Sequence, residues 1–528
     1  MVFSRLGKIV RIMKRDGACT SAWQQGIGDY ISPTHTLPSA IVDVVIVGGG
    51  ITGITTGLLL QQAGKKCVIL EAHTLGFGTT GGTTAHLNTL LDTPYTTIEK
   101  NFGEEGAKTV AKAAKEAMDL IEKHVETYDI ACTYKKLSGF LYSQSEEQTK
   151  ELQKLVEASQ KAGIDISYTS DLPIPLPFEK AVVFPEQGQF HPIQYIFALA
   201  QEFEKLGGLI VQNCRVTEHE KREVLDIATS LGPLQARHLI YATHTPPGVN
   251  VLHFKCAPYR TYAIGFKLNN DAYPESLAYD MQDPYNYHRT QEIEGEKYVI
   301  VGGQDHKTGH IENTKHLFDK LEAYVHQYYD VAGVYFRWSS QYFEPNDGIA
   351  YIGHLPNHPE NVFVATGFGG NGMIYSHIAA MELCSLIVNG RSEYDHLFSP
   401  SRVSWGGLSN FVKESTDVAK EWIGKWFSVS KLEELAGFAP GDSKVVKYEG
   451  HSIALHKDES GNFHALNPSC THLHCSVAWN NAEKSWDCPC HGARYSLDGE
   501  VLTGPASKDL EVYKLEEETG KVSEASRS

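Results

Sequence analysis

The sequence predicts an α/β fold of the doubly wound kind for most of the chain, with a mixed-sheet region laid over it and a small separate domain at the C-terminal end. Three observations point there. Residues 42–47 are an apolar, β-branched run, the pattern of a strand buried on both faces. A glycine-rich turn, Gly48-Gly-Gly50-Ile51-Thr52-Gly53, follows it directly. Far downstream, two short loops crowd cysteine and histidine together between positions 470 and 491.

The first two observations belong together. The turn has G-x-G-x-x-G spacing, an amphipathic segment over 54–64 follows, and residues 66–70 form a second strand ending at Glu71. That acid lies 23 residues past the first glycine. This is the dinucleotide-binding fingerprint. Gly48 permits the tight turn, Gly50 lets backbone approach a pyrophosphate, and Gly53 lets the helix pack close to the sheet. Ile51 and Thr52 open the helix, whose free N–H groups face the phosphates. Glu71 is placed to accept from a ribose hydroxyl. A chance glycine turn is the bland alternative, and the motif alone does not choose between FAD and NAD.

Two later segments bear on that choice. Residues 76–86 are rich in small residues and include Thr79, Thr83 and Thr84, which let backbone approach a flat ring. Residues 361–366 read as a strand running into Gly367-Phe-Gly369-Gly370-Asn371-Gly372-Met373, with a helix over 374–388. Here the chain resembles the D-amino-acid oxidase/glycine oxidase superfamily of FAD enzymes. That family closes its FAD site with such a strand–glycine–helix element, whose helix aims its positive end at the flavin and stabilises the reduced anion. Residues 347–353, Asp-Gly-Ile-Ala-Tyr-Ile-Gly, match the family's usual lead-in. The resemblance covers roughly residues 42–395 and is specific only in the FAD-binding parts.

The C-terminal loops read Cys470-Thr-His472-Leu-His474-Cys475 and Cys488-Pro-Cys490-His491. Two Cys and two His at C-x-H and C-x-x-H spacing suit a Rieske [2Fe-2S] cluster, in which two thiolates hold one iron and two imidazoles the other. A tetrahedral zinc site draws on the same residue types, but does not need the second cysteine in each loop. The segment resembles the Rieske proteins of cytochrome bc complexes, whose loops read C-T-H-L-G-C and C-P-C-H-G-S-x-Y. The resemblance implies an all-β domain, Cys470 and Cys488 as thiolate ligands, His472 and His491 as imidazole ligands, and a Cys475–Cys490 disulfide. Two departures stand out: His474 replaces a glycine, and Ala493 replaces a serine whose hydroxyl reaches cluster sulfur, while Tyr495 is kept. Hydrogen bonds to sulfur tune the potential, so a potential below that of the respiratory proteins is expected.

Between the FAD-binding ends, helices are expected over 97–128, 146–162 and 193–206, with strands over 209–216 and 239–244. Alternating, Tyr-rich segments over 259–303 suggest a mixed or antiparallel sheet over the flavin. Candidate pocket residues are Arg260, Tyr262, Tyr287, Arg289 and the loop Gln304-Asp305-His306. An arginine there would clamp a substrate carboxylate through a bidentate pair; the bland alternative puts both arginines on exposed strand faces and His306 in a local turn. His86 is a candidate covalent flavin anchor. No catalytic triad is expected, since the cofactor carries the hard chemistry.

The expected organisation is an extension over 1–40, the FAD-dependent domain over 41–397 with its substrate part within about 130–345, a linker over 398–425, a Rieske domain over 426–520 and a tail over 521–528. At 528 residues the chain exceeds one core. The net charge of −17 argues against nucleic acid. No apolar run approaches the ~20 residues of a membrane span. Arg5, Lys8, Arg11, Lys14 and Arg15 precede any acid; Met13 is a candidate true start, and an organelle-targeting segment is the alternative. Outside the Rieske loops, Cys19, Cys67, Cys132, Cys214, Cys256 and Cys384 are scattered singly, a cytoplasmic pattern.

The expected activity is an FAD-dependent dehydrogenase that oxidises an amine or amino acid by hydride transfer, the Rieske cluster relaying single electrons to a protein or quinone acceptor. An electron-transfer component shuttling between protein partners is the alternative, and a redox sensor a third. A Rieske oxygenase is argued against by the lack of a D-x-x-H-x4-H pattern for mononuclear iron.

Overall fold

The computed structural model describes residues 13–403, 438–448 and 451–515, with the backbone of four short strand segments at 2–3, 9–10, 427–428 and 522–524. Most of the expected linker over 398–425, from position 404 on, lies outside the described residues.

The first strand, Val42–Val47, is central in a parallel core. It pairs in parallel with Cys67–Leu70 on one side (Val45 opposite Val68) and with Gly232–Tyr241 on the other (Leu239 opposite Val45). Leu209–Val211 continues the sheet beyond Cys67–Leu70, and Val362–Thr366 joins in parallel at Gly232–Tyr241. Burial on both faces explains why these strands read as continuous apolar runs. The helix Ile51–Gln62 is laid against this sheet and against the late helix Gly372–Asn389. Gly57 makes that approach possible, since a Cβ there would meet Ile69 at 2.8 Å.

A second, nine-stranded mixed sheet faces the first. Antiparallel strands Val331–Pro345, Cys256–Leu268, Glu296–Lys307 and Tyr287–Ile293 make up one end of it, starting from the edge strand Val331–Pro345, and one pair, Leu277–Asp280 with Lys135–Ser143, is parallel. The described residues of the C-terminal part are β-rich. They form two small four-stranded sheets and a two-stranded one, with the Cys/His loops at one end of the second four-stranded sheet, which includes Ser485–Asp487 and Arg494–Tyr495.

Three expectations need correction. Residues 13–40 are not an appendage. Met13 and Trp23 are buried in the main core, the Trp23 indole donates to the Thr83 carbonyl (2.5 Å), and the Ser21 hydroxyl donates to the Gly81 carbonyl (2.6 Å). Tryptophan burial and hydrogen bonds to the glycine-rich loop bind this segment into the FAD domain. The linker also starts later than position 398, because Arg402 is paired with Asp347 at 2.7 Å and lies over the Tyr351 ring. Finally, Gly372–Asn389 is long and apolar enough to cross a membrane by composition, but 67% of it is buried inside the fold, so it is a core helix.

Candidate functional site

A single cleft runs between the parallel and mixed sheets. On the parallel-sheet side it is lined by Gly48, Gly50, Ile51, Thr52 and Glu71, and by Thr79, Thr83 and Thr84 on the loop that follows. Gly48 has φ +115°, and a Cβ there would lie 2.4 Å from the Ala242 carbonyl oxygen. Gly53 does not line the cleft; it packs beneath it, where a Cβ would meet the Gly48 carbonyl oxygen at 1.9 Å. A Gly53→Ala protein is therefore expected to be purified with almost no bound flavin, which flavin absorbance per chain checks; full occupancy would refute it. Glu71 lines the cleft with its carboxylate fixed by the amides of Gly49 (2.7 Å) and His73 (2.8 Å).

The late glycine loop closes the other flank. Gly369, Gly370, Asn371, Gly372 and Met373 line the cleft; Gly367 does not, and instead takes the turn at φ +71°. Asn371 is buried and bonded to Asn88 (3.0 Å) and the Asp92 amide (2.8 Å), tying two cleft walls together. Backbone left bare by glycine, with a helix N-terminus beside it, fits the long phosphate-bearing cofactor that the motif implies.

Of the seven substrate-pocket candidates, Tyr287 and Asp305 line the cleft, the Tyr287 hydroxyl 2.8 Å from Thr261 Oγ1. Arg260 and Tyr262 have the wrong parity. On the strand Cys256–Leu268 it is Thr261 and Ala263 that face the cleft, and period-two alternation turns 260 and 262 away. Arg260 is buried against the Rieske part, donating to Ser339 Oγ (2.6 Å) and lying 3.6 Å from Asp487; neither a clamp nor an exposed strand residue describes it. Tyr262 is packed edge-on against Phe318. Arg289 is likewise buried, donating to the Thr84 and Ala85 carbonyls (2.7 Å each) and to Gln291. It braces the loop under the flavin site instead of reaching into it. Burial pulls its guanidinium down to about 9. His306 stacks on Tyr262 with Nδ1 facing the Gln304 carbonyl, and its neighbour Asp305 takes the cleft face. His86 lines the cleft with Nδ1 2.8 Å from the Tyr279 hydroxyl. Asp92, Tyr279, Tyr285 and Tyr342, none of them singled out in the sequence, line it too. Strand parity was the signal for Tyr342 and Tyr279; Asp92 lies in a loop and offers none.

The Cys/His loops form a second site. Cys470, Cys488, His472 and His491 are all buried, and Cys475 is disulfide-bonded to Cys490. Cys488 Sγ lies within 4.8 Å of both bridge sulfurs, so the disulfide sits against the ligand set. His472 Nδ1 and both ring nitrogens of His491 are shielded and unpartnered, whereas His472 Nε2 faces the Gly248 carbonyl at 3.0 Å. Unpartnered imidazole nitrogens beside two free thiols fit a [2Fe-2S] cluster held through one nitrogen of each ring. The Tyr495 hydroxyl is 3.2 Å from Cys470 Sγ. His474 adopts φ +59°, the left-handed conformation that glycine takes without cost.

The two sites share a wall. The His472 ring meets His253 edge-on at 4.6 Å, and His491 packs against Phe254 at 5.4 Å. His253 is held by the Pro246 carbonyl (2.9 Å) and the Asn250 amide (3.2 Å). Residues 243–247 of the same segment line the cleft at Thr243, His244, Thr245 and Pro247. Gln341 and Phe343 line it as well, and Gln341 donates to the Gly492 carbonyl (2.8 Å) in the second Cys/His loop. Beside this wall lies a buried network of three guanidiniums and three carboxylates. Arg494 contacts Asp16 (2.7 Å) and Asp487 (3.1 Å), Arg15 contacts Glu483 (3.4 Å) and Asp16 (3.2 Å), and Arg260 approaches Asp487.

A dinucleotide cleft beside a Cys/His cluster site defines a flavin-dependent oxidoreductase that also carries an iron–sulfur site. The chain belongs to the FAD dependent oxidoreductase family, which matches residues 43–386, and a Rieske [2Fe-2S] domain matches residues 425–514; it binds FAD and a [2Fe-2S] cluster. Among its relatives is the "Putative Rieske 2Fe-2S iron-sulfur protein YhfW" of Bacillus subtilis (strain 168), 33% identical over 90% of this chain and 94% of that one. The gamma-glutamylputrescine oxidoreductase of Escherichia coli (strain K12) is 23% identical over 71% of this chain and 91% of its own. The L-proline dehydrogenase of P. horikoshii shares the fold, with a TM-score of 0.58 at 16% identity, covering 69% of this chain and 98% of that chain.

Proposed function

We propose that this protein is a dehydrogenase acting on the CH–NH group of a small amine or amino acid, with Cys470, Cys488, His472 and His491 as cluster ligands and an outside one-electron acceptor, a protein or a quinone. FAD supplies the two-electron acceptor and the [2Fe-2S] cluster the one-electron carrier. The observation that carries the reading is the common wall: segment 243–253, with Gln341 and Phe343, touches the cleft on one side and the cluster loops on the other. An oxidase that returns electrons to oxygen has no use for such a junction. The chain's own part is placement. The glycine turns seat the dinucleotide, Arg289 and Trp23 brace the loop 79–85, and the disulfide and Tyr495 fix the ligand loops. The relative named for gamma-glutamylputrescine supports a nitrogen-bearing substrate. The scattered free cysteines support a cytoplasmic location.

Anaerobic rapid mixing with a panel of amines, amino acids and hydroxy acids tests this. Flavin bleaching followed by loss of the oxidised cluster bands is the expected result. Bleaching by none of them, while dithionite reduces both centres, would transfer the role to an electron carrier between protein partners.

A further inference from the structure

Where the mixed sheet walls the cleft, the lining changes character. Among the lining residues are two acids, Asp92 and Asp305, and four tyrosines, Tyr279, Tyr285, Tyr287 and Tyr342. Asp305 Oδ2 accepts from the Tyr342 hydroxyl (3.2 Å), whereas Oδ1 is shielded from bulk water and has no hydrogen-bond partner. Burial pushes the Asp305 carboxyl up to about 7, and the charge of Asp92 adds to the shift. Asp92 is exposed to the cleft, and the protein mass around it pushes its carboxyl up to about 6, although Tyr285, Asn371 and the Gly370 amide donate to it. With Asp305 half-buried and Asp92 exposed to the cleft, two carboxyl groups present oxygens to whatever enters. Such a pair is relieved by taking up a proton or by an entering cation.

Among the described residues, none on this wall supplies such a cation. Arg215 is the only arginine or lysine among the described residues that line the cleft, and it stands on the parallel-sheet side, bonded to the Val501 carbonyl at 3.0 Å. Arg260 and Arg289, the arginines nearest in sequence to the pocket strands, are turned away and committed elsewhere. A ligand carboxylate entering here would meet two acids and no guanidinium. An ammonium would meet a free carboxylate oxygen and aromatic walls, with Tyr285 and Tyr287 ring centres 5.6 Å apart. Tyrosine rings attract cations over their faces.

We propose that Asp305, with Asp92 and the surrounding tyrosines, forms an ammonium-binding subsite, so that the substrate is a cationic amine with no carboxylate on the carbon next to its nitrogen. This narrows the amine-or-amino-acid reading of the proposed function and rests on that reading for the reaction, but not for binding.

The test uses the full-length protein with both cofactors and three probes: n-butylamine, butyrate and norvaline. They carry the ammonium alone, the carboxylate alone, and both on one carbon. Binding is read from the perturbation of the oxidised flavin spectrum, and reduction from its bleaching. Butylamine is expected to bind at least about tenfold more tightly than norvaline, and butyrate not at all. Asp305→Asn, with unchanged flavin content, is expected to weaken butylamine by about tenfold or more. Norvaline or butyrate binding more tightly than butylamine would overturn the subsite using the unaltered protein, whatever the variant's stability. So would an unchanged butylamine affinity in Asp305→Asn, or no butylamine binding at the highest concentration that leaves flavin bound. The two readings fail separately. If butylamine binds through Asp305 and no amine bleaches the flavin, the dehydrogenase falls and the subsite stands; if norvaline bleaches it and butylamine does not bind, the reverse holds.

Discussion

Replacing Arg494 with methionine is expected to destabilise the native protein by about 3–5 kcal/mol, the usual result of removing one partner from a buried ion pair. Arg494 is fully buried between Asp487 of its own domain and Asp16 of the N-terminal segment. Its loss leaves Arg15 and Arg260 facing Asp16, Glu483 and Asp487, so one buried carboxylate is uncompensated. The pH dependence gives a second readout. Burial alone would raise all three acids, yet the guanidiniums outweigh it and hold each below its ordinary value. A carboxyl whose native pKa is depressed contributes stability above its unfolded value and loses it as pH falls through the native one. The intact network therefore holds full strength at neutral pH and weakens in acid, below about pH 4. In Arg494→Met the stranded carboxylate has a raised pKa instead. The deficit should be largest at neutral pH and above, and shrink on acidification. Denaturant unfolding at several pH values, followed by flavin and cluster spectra, checks both the size and the trend. A loss under 1 kcal/mol, or a deficit that grows in acid, would count against the network as a structural clamp.

That clamp also shows where the sequence was readable and where it was not. The dinucleotide turn was legible because its chemistry is local: Gly48, Gly50, Gly53 and Glu71 lie within 24 residues, and each answers a steric or hydrogen-bonding need of that turn. The Cys/His loops were legible for the same reason. Residues whose role depends on distant partners were not. Asp16 and Glu483 carry no pattern, yet both lie in one network across 467 positions of chain. Trp23 looks like part of an extension until Thr83 and Arg289 are placed beside it. In the mixed sheet the error was one of parity. Strand alternation was visible, but which alternate faces the cleft depends on the register of Cys256–Leu268 against Glu296–Lys307, where a bulge lies between Arg260 and Tyr262. A one-residue shift exchanges Thr261 for Arg260 and Asp305 for His306.

The reduction potential of the cluster offers the other large effect. Tyr495→Phe is expected to lower it by about 60 mV, the one-electron equivalent of roughly 1.4 kcal/mol. The Tyr495 hydroxyl accepts from the Thr471 amide at 3.1 Å, which leaves its own hydrogen for Cys470 Sγ or Thr471 Oγ1, each 3.2 Å away. The thiolate of a bound cluster is the charged acceptor of the two. Reduction adds negative charge to the cluster, so a donor on sulfur favours the reduced form and its removal favours the oxidised one. Ala493, fully buried in the second loop, supplies no such donor, and Ala493→Ser is expected to raise the potential by a similar amount if its hydroxyl reaches the cluster. A further local contact acts in the same direction as the missing serine. His472 Nε2 donates to the Gly248 carbonyl, and an imidazole that gives up proton density is a more electron-rich ligand, which stabilises oxidised iron. Both features are expected to put this cluster below the respiratory Rieske centres, within a class that spans about −150 to +300 mV. Redox titration of the reduced-cluster EPR signal measures all three proteins on one scale. A parent potential as high as the respiratory values would show that the missing hydroxyl and the Gly248 contact have no net effect. An unchanged potential in Tyr495→Phe would show that the hydroxyl hydrogen points elsewhere than at sulfur. The ordered series, phenylalanine variant below parent below serine variant, is what hydrogen bonding to sulfur requires.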